Sequence, residues 1–401
     1  MAELDVKSKI EILKDTALKN IEKKYGKEKY YLGERKIPKV PLICSSGSLS
    51  LDQALCIGGF PEGRLIEIGG QESSGKSTLT LLNIAEIQRN GKVCAYLDVE
   101  QSFDPIYATR LGVDVYNLAV FQPETMEETF EMLFELLSSK VVSYIVVDST
   151  NAMIPKRMLE GDTDTSMMGK SALLMSQQLP KVVSLAASNS CTVVFLSQIR
   201  SKIGVVYGSP EKIGVGESMK FYASIRIKTS KTEVQKDDGV DGQSAVDIVM
   251  MVTKNKVGAP FKKAQFTLLT GADGQFGIDT MKEVIDFAIK YELVKKAGSW
   301  YSYGEDKLGQ GMPNVKKFFT ESPEKFKEVK DKILAKLAEE REKAIAIVDS
   351  FSNIISNTVD DKPTKRRGKK DDVIAAEIPE EIKAVMDEEE ILEAEIVNEE
   401  K

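Results

Sequence analysis

The chain has 401 residues, 42% hydrophobic and 29% charged, which suits a large globular domain with smaller appendages. It contains no histidine, which argues against zinc sites and against Ser-His or Cys-His catalysis, and its four cysteines (Cys44, Cys56, Cys94, Cys191) form no C-x-x-C pair. The net charge of −7 is unevenly spread: Glu377 to Lys401 holds eleven acidic and two basic residues, leaving the other 376 residues at +2.

The opening "MAELDVKSKIEIL" lacks the apolar core of a secretory signal. No apolar run approaches the length of a membrane span, so no membrane segment is expected. The four cysteines read as buried free thiols in a reducing cytosol, and a cytoplasmic protein is expected. Residues 5–25 read as a charged helix with Ile10, Leu13, Ala17, Leu18 and Ile21 at helical spacing. "IPKVPLICSS" carries two prolines and reads as an extended connector. Strands are predicted at "RLIEIGG", "VCAYLDV", "VVSYIVVDS" and "CTVVFLSQ", and helices starting at Lys76, Met126 and Lys170. Such alternation, with nearly all-apolar strands, predicts an α/β fold with a mostly parallel sheet covered on both faces. After Phe221 the segments "SIRIKTS", "AVDIVMMVTKN" and "KAQFTLLT" predict antiparallel strands that extend the sheet. From about Phe276 a small α/β module is expected, then a charged helix over about Pro323–Ile347. The low-complexity tail beyond it carries the basic run "KPTKRRGKK", Lys362 to Lys370, just before its acidic end, a composition of solvated disorder that can also compete with or guide a polyanion.

Gly70-Gln71-Glu72-Ser73-Ser74-Gly75-Lys76-Ser77 fits G-x-x-x-x-G-K-[ST], follows a predicted strand and opens a predicted helix. The glycines let backbone N–H groups face phosphates, and the helix start adds a positive dipole end. Lys76 supplies charge at the β- and γ-phosphates, the Ser77 hydroxyl suits Mg²⁺, and Thr78 continues the site. Asp148 ends "YIVVD", where a carboxylate at the sheet edge can hold Mg²⁺ through water. Glu100 follows the strand ending near Asp98 and could position an attacking water, while Asp104 and Tyr107 offer a polar group and a ring to a base. The only near match to a guanine reader is Asn255-Lys256-Val257-Gly258, which lacks the Asp, so ATP is favoured over GTP. The Gly-rich stretch Ile199 to Lys220 mixes Arg200, Lys202, Lys212 and Lys220 with apolar residues, a composition suited to phosphates and base faces.

From "SSGSLSLDQALCIGGFPEGRLIEIGGQESSGKSTL" through "LDVEQSFDPIYATRLGVD", "IVVDS", "MSQQL", "SQIRSKIGVVYGSPE", "MKFYAS", "TKNKVGAPFKKAQF" and "KKAGSWYSYGEDKLGQG", roughly residues 7–322 resemble the bacterial RecA recombinases block by block. The resemblance implies a RecA-type P-loop NTPase that forms helical filaments on single-stranded DNA and exchanges strands with double-stranded DNA, coupled to ATP and Mg²⁺. It implies an N-terminal helix and polymerisation arm over 1–36, an ATPase core over 37–273, a small C-terminal domain over 274–347 and a charged tail over 348–401. Glu100 then resembles the water-activating carboxylate, Asp104 and Tyr107 the adenine contacts, and Gln198 the γ-phosphate sensor. Lys254 and Lys256 resemble the pair that reaches the neighbouring protomer's ATP, and Phe221 a contact between protomers. Two DNA-binding loops are implied, about Lys156–Gly169 and Ile199–Lys220. Met168 and Ile203 would wedge between bases, and Gly169, Ser176 and Gly216 join the same surface.

Against the family pattern, Leu173 and Pro180 stand where arginines are usual, and Val215-Gly216-Glu217 replaces a Gly-Gly-Asn run. Gln101 stands where a histidine usually follows the catalytic glutamate. A proline at 180 is expected to kink its helix. Lys170 is a candidate to compensate for the lost arginines. A ring helicase would lack the arm, and a small-molecule kinase would carry an Arg-rich lid, which is not seen.

Overall fold

Strands that are apolar on both faces must be covered on both, and one large sheet with helices on either side meets that demand here. The computed structural model describes residues 6–26, 40–159, 167–201, 211–213, 218–235, 245–271 and 274–359. The chain divides into two compact units, Met1–Val40 and Pro41–Lys401. The first holds α1 (Val6–Leu13) and α2 (Lys19–Tyr25), joined by a π-helical stretch, Lys14–Leu18.

In the second unit β1 (Leu42–Cys44) pairs with β2 (Phe60–Pro61) across α3 (Leu49–Ala54). Then follow β3 (Leu65–Gly70), α4 (Lys76–Arg89), β4 (Val93–Asp98), α5 (Pro105–Arg110), β5 (Leu118–Phe121), α6 (Met126–Ser138) and β6 (Val142–Asp148). Next come α7 (Lys156–Leu159), α8 (Met167–Ser188), β7 (Thr192–Ser201), β8 (Glu211–Ile213) and α9 (Ser218–Tyr222). Long strands β9 (Ile225–Gln235), β10 (Ala245–Asn255) and β11 (Lys262–Thr270) lead to β12 (Phe276–Ile278) and α10 (Thr280–Lys290). The last elements are β13 (Val294–Ala297), β14 (Trp300–Tyr303), β15 (Asp306–Gln310), α11 (Gly311–Glu321) and α12 (Pro323–Val359).

The main sheet has the order β12-β11-β10-β9-β3-β7-β6-β4-β5, with β8 attached to β7. Strands β9, β3, β7, β6, β4 and β5 run parallel, and β10, β11 and β12 continue antiparallel. Alternation along the strands divides the core in two. Ile66, Ile68, Tyr144 and Val146 pack with Leu79 and Ile84 of α4, while Leu65, Ile145 and Val147 pack with Phe130 of α6 and Leu179 of α8. A third core gathers Val284, Phe287, Tyr301, Phe319 and Ile333 of the C-terminal module, together with Leu49 of α3. Side-chain caps set several helix starts: Ser48 accepts from Leu51 N, Thr125 from Glu128 N and Asp279 from Lys282 N.

Three expectations shift. Helix α8 starts at Met167 rather than Lys170 and runs through Pro180 to Ser188. The stretch 199–220 is not loop throughout: β7 extends to Ser201, β8 pairs antiparallel with it, and α9 closes it. The backbone there makes its own hydrogen bonds, which a Gly-rich composition does not reveal. Helix α12 continues to Val359, past the expected end near Ile347, because extending a formed helix adds a bond for each residue ordered. Residues 360–401 lie outside the described residues. Among the described residues no helix is long and apolar enough to cross a membrane.

Candidate functional site

Parallel pairing brings four strand ends to one edge. Gly70 of β3 stands level with Gln198 of β7, and Asp98 of β4 with Asp148 of β6. This is the edge at which open parallel sheets bind ligands. The loop from Gly70 to Ser77 leaves β3 and enters α4 through Gly75, whose φ of 81° is left-handed. A Cβ on Gly75 would lie 2.7 Å from Leu268 Cδ1, and one on Gly70 2.4 Å from Thr229 Cγ2 and 2.6 Å from the Thr229 carbonyl oxygen. Thr229 also donates from Oγ1 to Ser74 O at 2.7 Å, which ties the loop to β9. Ser74 Oγ donates to Gln71 O at 2.7 Å, while Gln71, Glu72 and Ser73 are exposed at the loop's outer turn.

Lys76 is folded into this loop. Its Nζ donates to Gly70 O at 3.1 Å and to Gln71 O at 2.7 Å. Burial pushes its pKa down, and the Asp148, Glu100 and Glu72 carboxylates oppose that shift. Ser77 Oγ donates to Asp148 Oδ2 at 2.7 Å, and Tyr96 OH donates to the same oxygen at 2.6 Å. Burial raises the Asp148 pKa, with both hydrogen bonds acting the other way.

Glu100 sits just past β4, on a turn held by buried Asp98, which accepts from Ser102 N at 2.9 Å, Phe103 N at 3.2 Å and Gln122 Nε2 at 3.0 Å. Glu100 Oε1 accepts from Gln198 Nε2 at 2.9 Å and from Ser149 Oγ. Asn151 fixes Gln198 in turn, accepting from its N–H at 2.7 Å and donating to its carbonyl at 3.3 Å. Thr78 Oγ1 and Tyr107 OH are 2.8 Å apart. Asp104 Oδ1 caps α5 by accepting from Ile106 N and Tyr107 N, so it also sets the orientation of Tyr107. Tyr107 meets Phe276 edge-on at 6.1 Å, and Arg110, Gly271, Gly274 and Phe276 line an open surface depression of about 440 Å³ beside it.

The structure thus gathers Gly70, Gly75, Lys76, Ser77, Asp148, Glu100 and Gln198, with Thr78, Asp104 and Tyr107 alongside. Lys254 and Lys256 do not join this cluster. Lys254 lies level with Arg226, which is level with Glu67, so it is two strands across and three residues back from Gly70, on the order of 10 Å in each direction. Lys254 Nζ donates to Lys220 O and, at 3.1 Å, to Phe221 O at the end of α9, and Lys256 Nζ donates to Phe221 O at 3.5 Å. The Phe221 side chain is 69% exposed.

Of the residues expected on DNA, Met168, Gly169 and Ser176 lie on α8, where Gly169 is exposed and Ser176 Oγ donates to Leu173 O at 2.7 Å. Arg200 is in β7, paired with Lys212 of β8, and Lys220 is on α9. Lys202, Ile203, Gly216 and Glu217 lie outside the described residues, as does 160–166 of the first loop.

Sequence reasoning passed over Tyr96, Asp98, Ser149, Asn151 and Thr229. The roles of Tyr96, Ser149, Asn151 and Thr229 depend on contacts between segments far apart in the chain, whereas Asp98 accepts chiefly from the turn that follows it. Ser149 had one readable signal, its place directly after the strand-end Asp148.

The cradle fits a nucleotide polyphosphate. Both glycines are positions a Cβ would block, and a buried lysine now satisfied by loop carbonyls has donors to turn to phosphate oxygens. The Ser77 hydroxyl and Asp148 carboxylate form an oxygen set suited to a hard divalent cation.

Known proteins place this geometry in a lineage. The model of the RecA N-terminal domain matches residues 12–274, and that of the RecA C-terminal domain residues 282–338. Protein RecA of Leptospira meyeri is 45% identical over 313 residues, 77% of this chain and 79% of that protein. Protein RecA of Desulforapulum autotrophicum is 44% identical over 335 residues, 83% of this chain and 93% of that protein. The crystal structure of the RadB recombinase superposes more loosely, with a TM-score of 0.42 at 21% identity over 55% of this chain and 94% of that one. With both domain models matched in order and such identity over most of its length, the chain belongs to the RecA family of recombinases, DNA-dependent ATPases built on the P-loop fold described above.

Proposed function

We propose that this recombinase binds ATP with Mg²⁺ at the Gly70–Ser77 loop and couples its hydrolysis to a helical filament on single-stranded DNA, which pairs with and exchanges strands with duplex DNA. The hydrogen-bonded set Glu100–Gln198–Ser149, at the same sheet edge as Lys76, Ser77 and Asp148, is the observation that carries the reading. In it Lys76 leaves the loop carbonyls to neutralise phosphate charge. Glu100 orients and deprotonates the attacking water, and Gln198 reports the γ-phosphate to the segment that follows β7. Ser77 and Asp148 would hold the Mg²⁺, which neutralises charge on the β- and γ-phosphate oxygens when bound. Asp104 and Tyr107, with Thr78, receive the adenine end.

Lys254 and Lys256, remote from their own loop, serve the nucleotide of the neighbouring protomer as an arginine finger does. A site shared between protomers favours a head-to-tail assembly that does not close. Residues 1–36 act as the arm of that assembly, 37–273 as the ATPase core, 274–347 as a small domain and 348–401 as a charged tail. DNA runs past α8 and the 199–220 segment, with Met168, Gly169, Ser176, Arg200, Lys202, Ile203, Gly216 and Lys220 on its path. The protein works in the cytoplasm, where its DNA lies.

Glu100→Gln tests this. Nucleotide binding is expected to persist while turnover stimulated by single-stranded DNA falls by about 10²- to 10⁴-fold. Wild-type turnover in the variant, or wild-type hydrolysis that ignores DNA, overturns the reading.

A further inference from the structure

One buried ion pair lies outside the phosphate cradle yet adjoins it. Glu67 is on β3, three residues before Gly70, and Arg226 stands level with it on β9. Their side chains are 2% and 14% exposed. Arg226 Nε donates to Glu67 Oε2 at 2.5 Å. The other carboxylate oxygen accepts from Ser197 Oγ at 3.1 Å, and Ser197 directly precedes Gln198. On its far side Arg226 stands level with Lys254, and Thr253 Oγ1 donates to the Arg226 carbonyl at 3.2 Å. Lys254 and Lys256 then reach the carbonyls at the end of α9.

A buried ion pair is weak evidence for stability, because apolar residues of the same volume commonly do as well. The charges around this one suggest another use. Arg226, Lys254 and Lys256 are three cations at one end of the sheet, with Glu67 as the carboxylate among them. Burial lowers the Lys254 pKa, Lys256 and Arg226 lower it further, and Glu67 opposes them. Glu67 is therefore held from one side by the strand of Gln198, and acts from the other on the field at Lys254.

We propose that Glu67 and Arg226 are positioning residues that tie a protomer's own nucleotide site, through Ser197, to the Lys254–Lys256 pair it presents to the next protomer's nucleotide. The inference rests on the reading of those lysines given above. A displacement of Gln198 shifts Ser197, Ser197 shifts the carboxylate, and Arg226 follows its only salt-bridge partner among the described residues, altering the reach of Lys254.

The test uses the full chain on single-stranded DNA. Arg226→Lys keeps the charge but loses the guanidinium geometry. Ser197→Ala severs one link and leaves the ion pair whole, so it decides the matter if Arg226→Lys does not fold. In both, turnover is expected to fall at least about fivefold, with the Hill slope in ATP dropping toward one. Binding of a fluorescent ATP analogue to the DNA-free protein should stay unchanged, since no residue touching the cradle is altered. A lower thermal midpoint with wild-type turnover and Hill slope would reduce the pair to a structural one and overturn the inference. Lys254→Ala combined with Lys256→Ala separates the two claims. If that variant keeps full turnover, the reading of the lysines fails and the inference with it. If it loses turnover while Arg226→Lys and Ser197→Ala behave as wild type, only the inference fails.

Discussion

Gly70 shows how little room the phosphate cradle leaves. Its ideal Cβ position is occupied by the side chain and carbonyl oxygen of Thr229, and the backbone of β9 cannot retreat without breaking its pairing with β3. Gly70→Ala should therefore fold with a displaced loop and lose nucleotide affinity by at least about tenfold, equivalent to about 1.4 kcal/mol, measured by titration with a fluorescent ATP analogue. Wild-type affinity would mean that the loop relaxes more easily than the geometry allows. Lys76, Ser77, Asp148 and Glu100 were legible in the sequence because each sits at a fixed offset from a strand end. Asn151 was not, and Ser149 showed only its place after Asp148, since both act by orienting Gln198 and Glu100 across strands that only folding brings side by side.

At the scale of elements, α8 starts at Met167, three residues before its expected position, and continues past Pro180. Met175, Leu179, Val182 and Ala186 form its buried stripe, and Pro180 falls on the exposed side. Burial of that stripe keeps the helix running through a residue that removes a backbone hydrogen bond. Pro180→Ala restores a donor without touching the core, so it should stabilise the protein by on the order of 1–3 kcal/mol, read as a raised midpoint in urea unfolding. An unchanged midpoint would show that the proline's missing bond costs nothing there. The hairpin of β7 and β8 was likewise hidden. Gly-rich chain reads as loop, and the pairing of Arg200 with Lys212 depends on the two segments meeting.

Over the whole molecule, α3 and α10 are joined through the Glu283 carboxylate. Glu283 Oε1 accepts from Ser48 Oγ at 2.6 Å and Ser50 N at 2.8 Å, while buried Oε2 has no hydrogen-bond partner among the described residues. Nearby Asp52 accepts from Ser46 N at 2.7 Å and Ser45 Oγ at 2.5 Å. Burial pushes Asp52 up to about 6, against the hydrogen bonds from Ser45 and Ser46, and Glu283 is raised by burial as well. A carboxylate raised on folding adds stability while protonated and loses it as pH rises through the folded value. Stability is thus expected to grow by about 1.3 kcal/mol from Asp52 as pH falls from 7 to 5, and toward about 3 kcal/mol only once pH is below the unfolded value near 4. Asp52→Asn should flatten that rise in urea unfolding series, and a variant with the wild-type slope would refute the assignment.

Length, strand–helix alternation and the Gly70–Ser77 motif were enough to specify a P-loop sheet and its phosphate edge, because local spacing alone sets which residues leave a strand end facing a helix start. Tertiary structure decided the rest: that Gln198 meets Glu100, that Lys254 and Lys256 turn away from their own loop, and that Glu67 lies between them. Those relations belong to strand order, and strand order depends on which apolar faces bury one another across residues far apart in the chain.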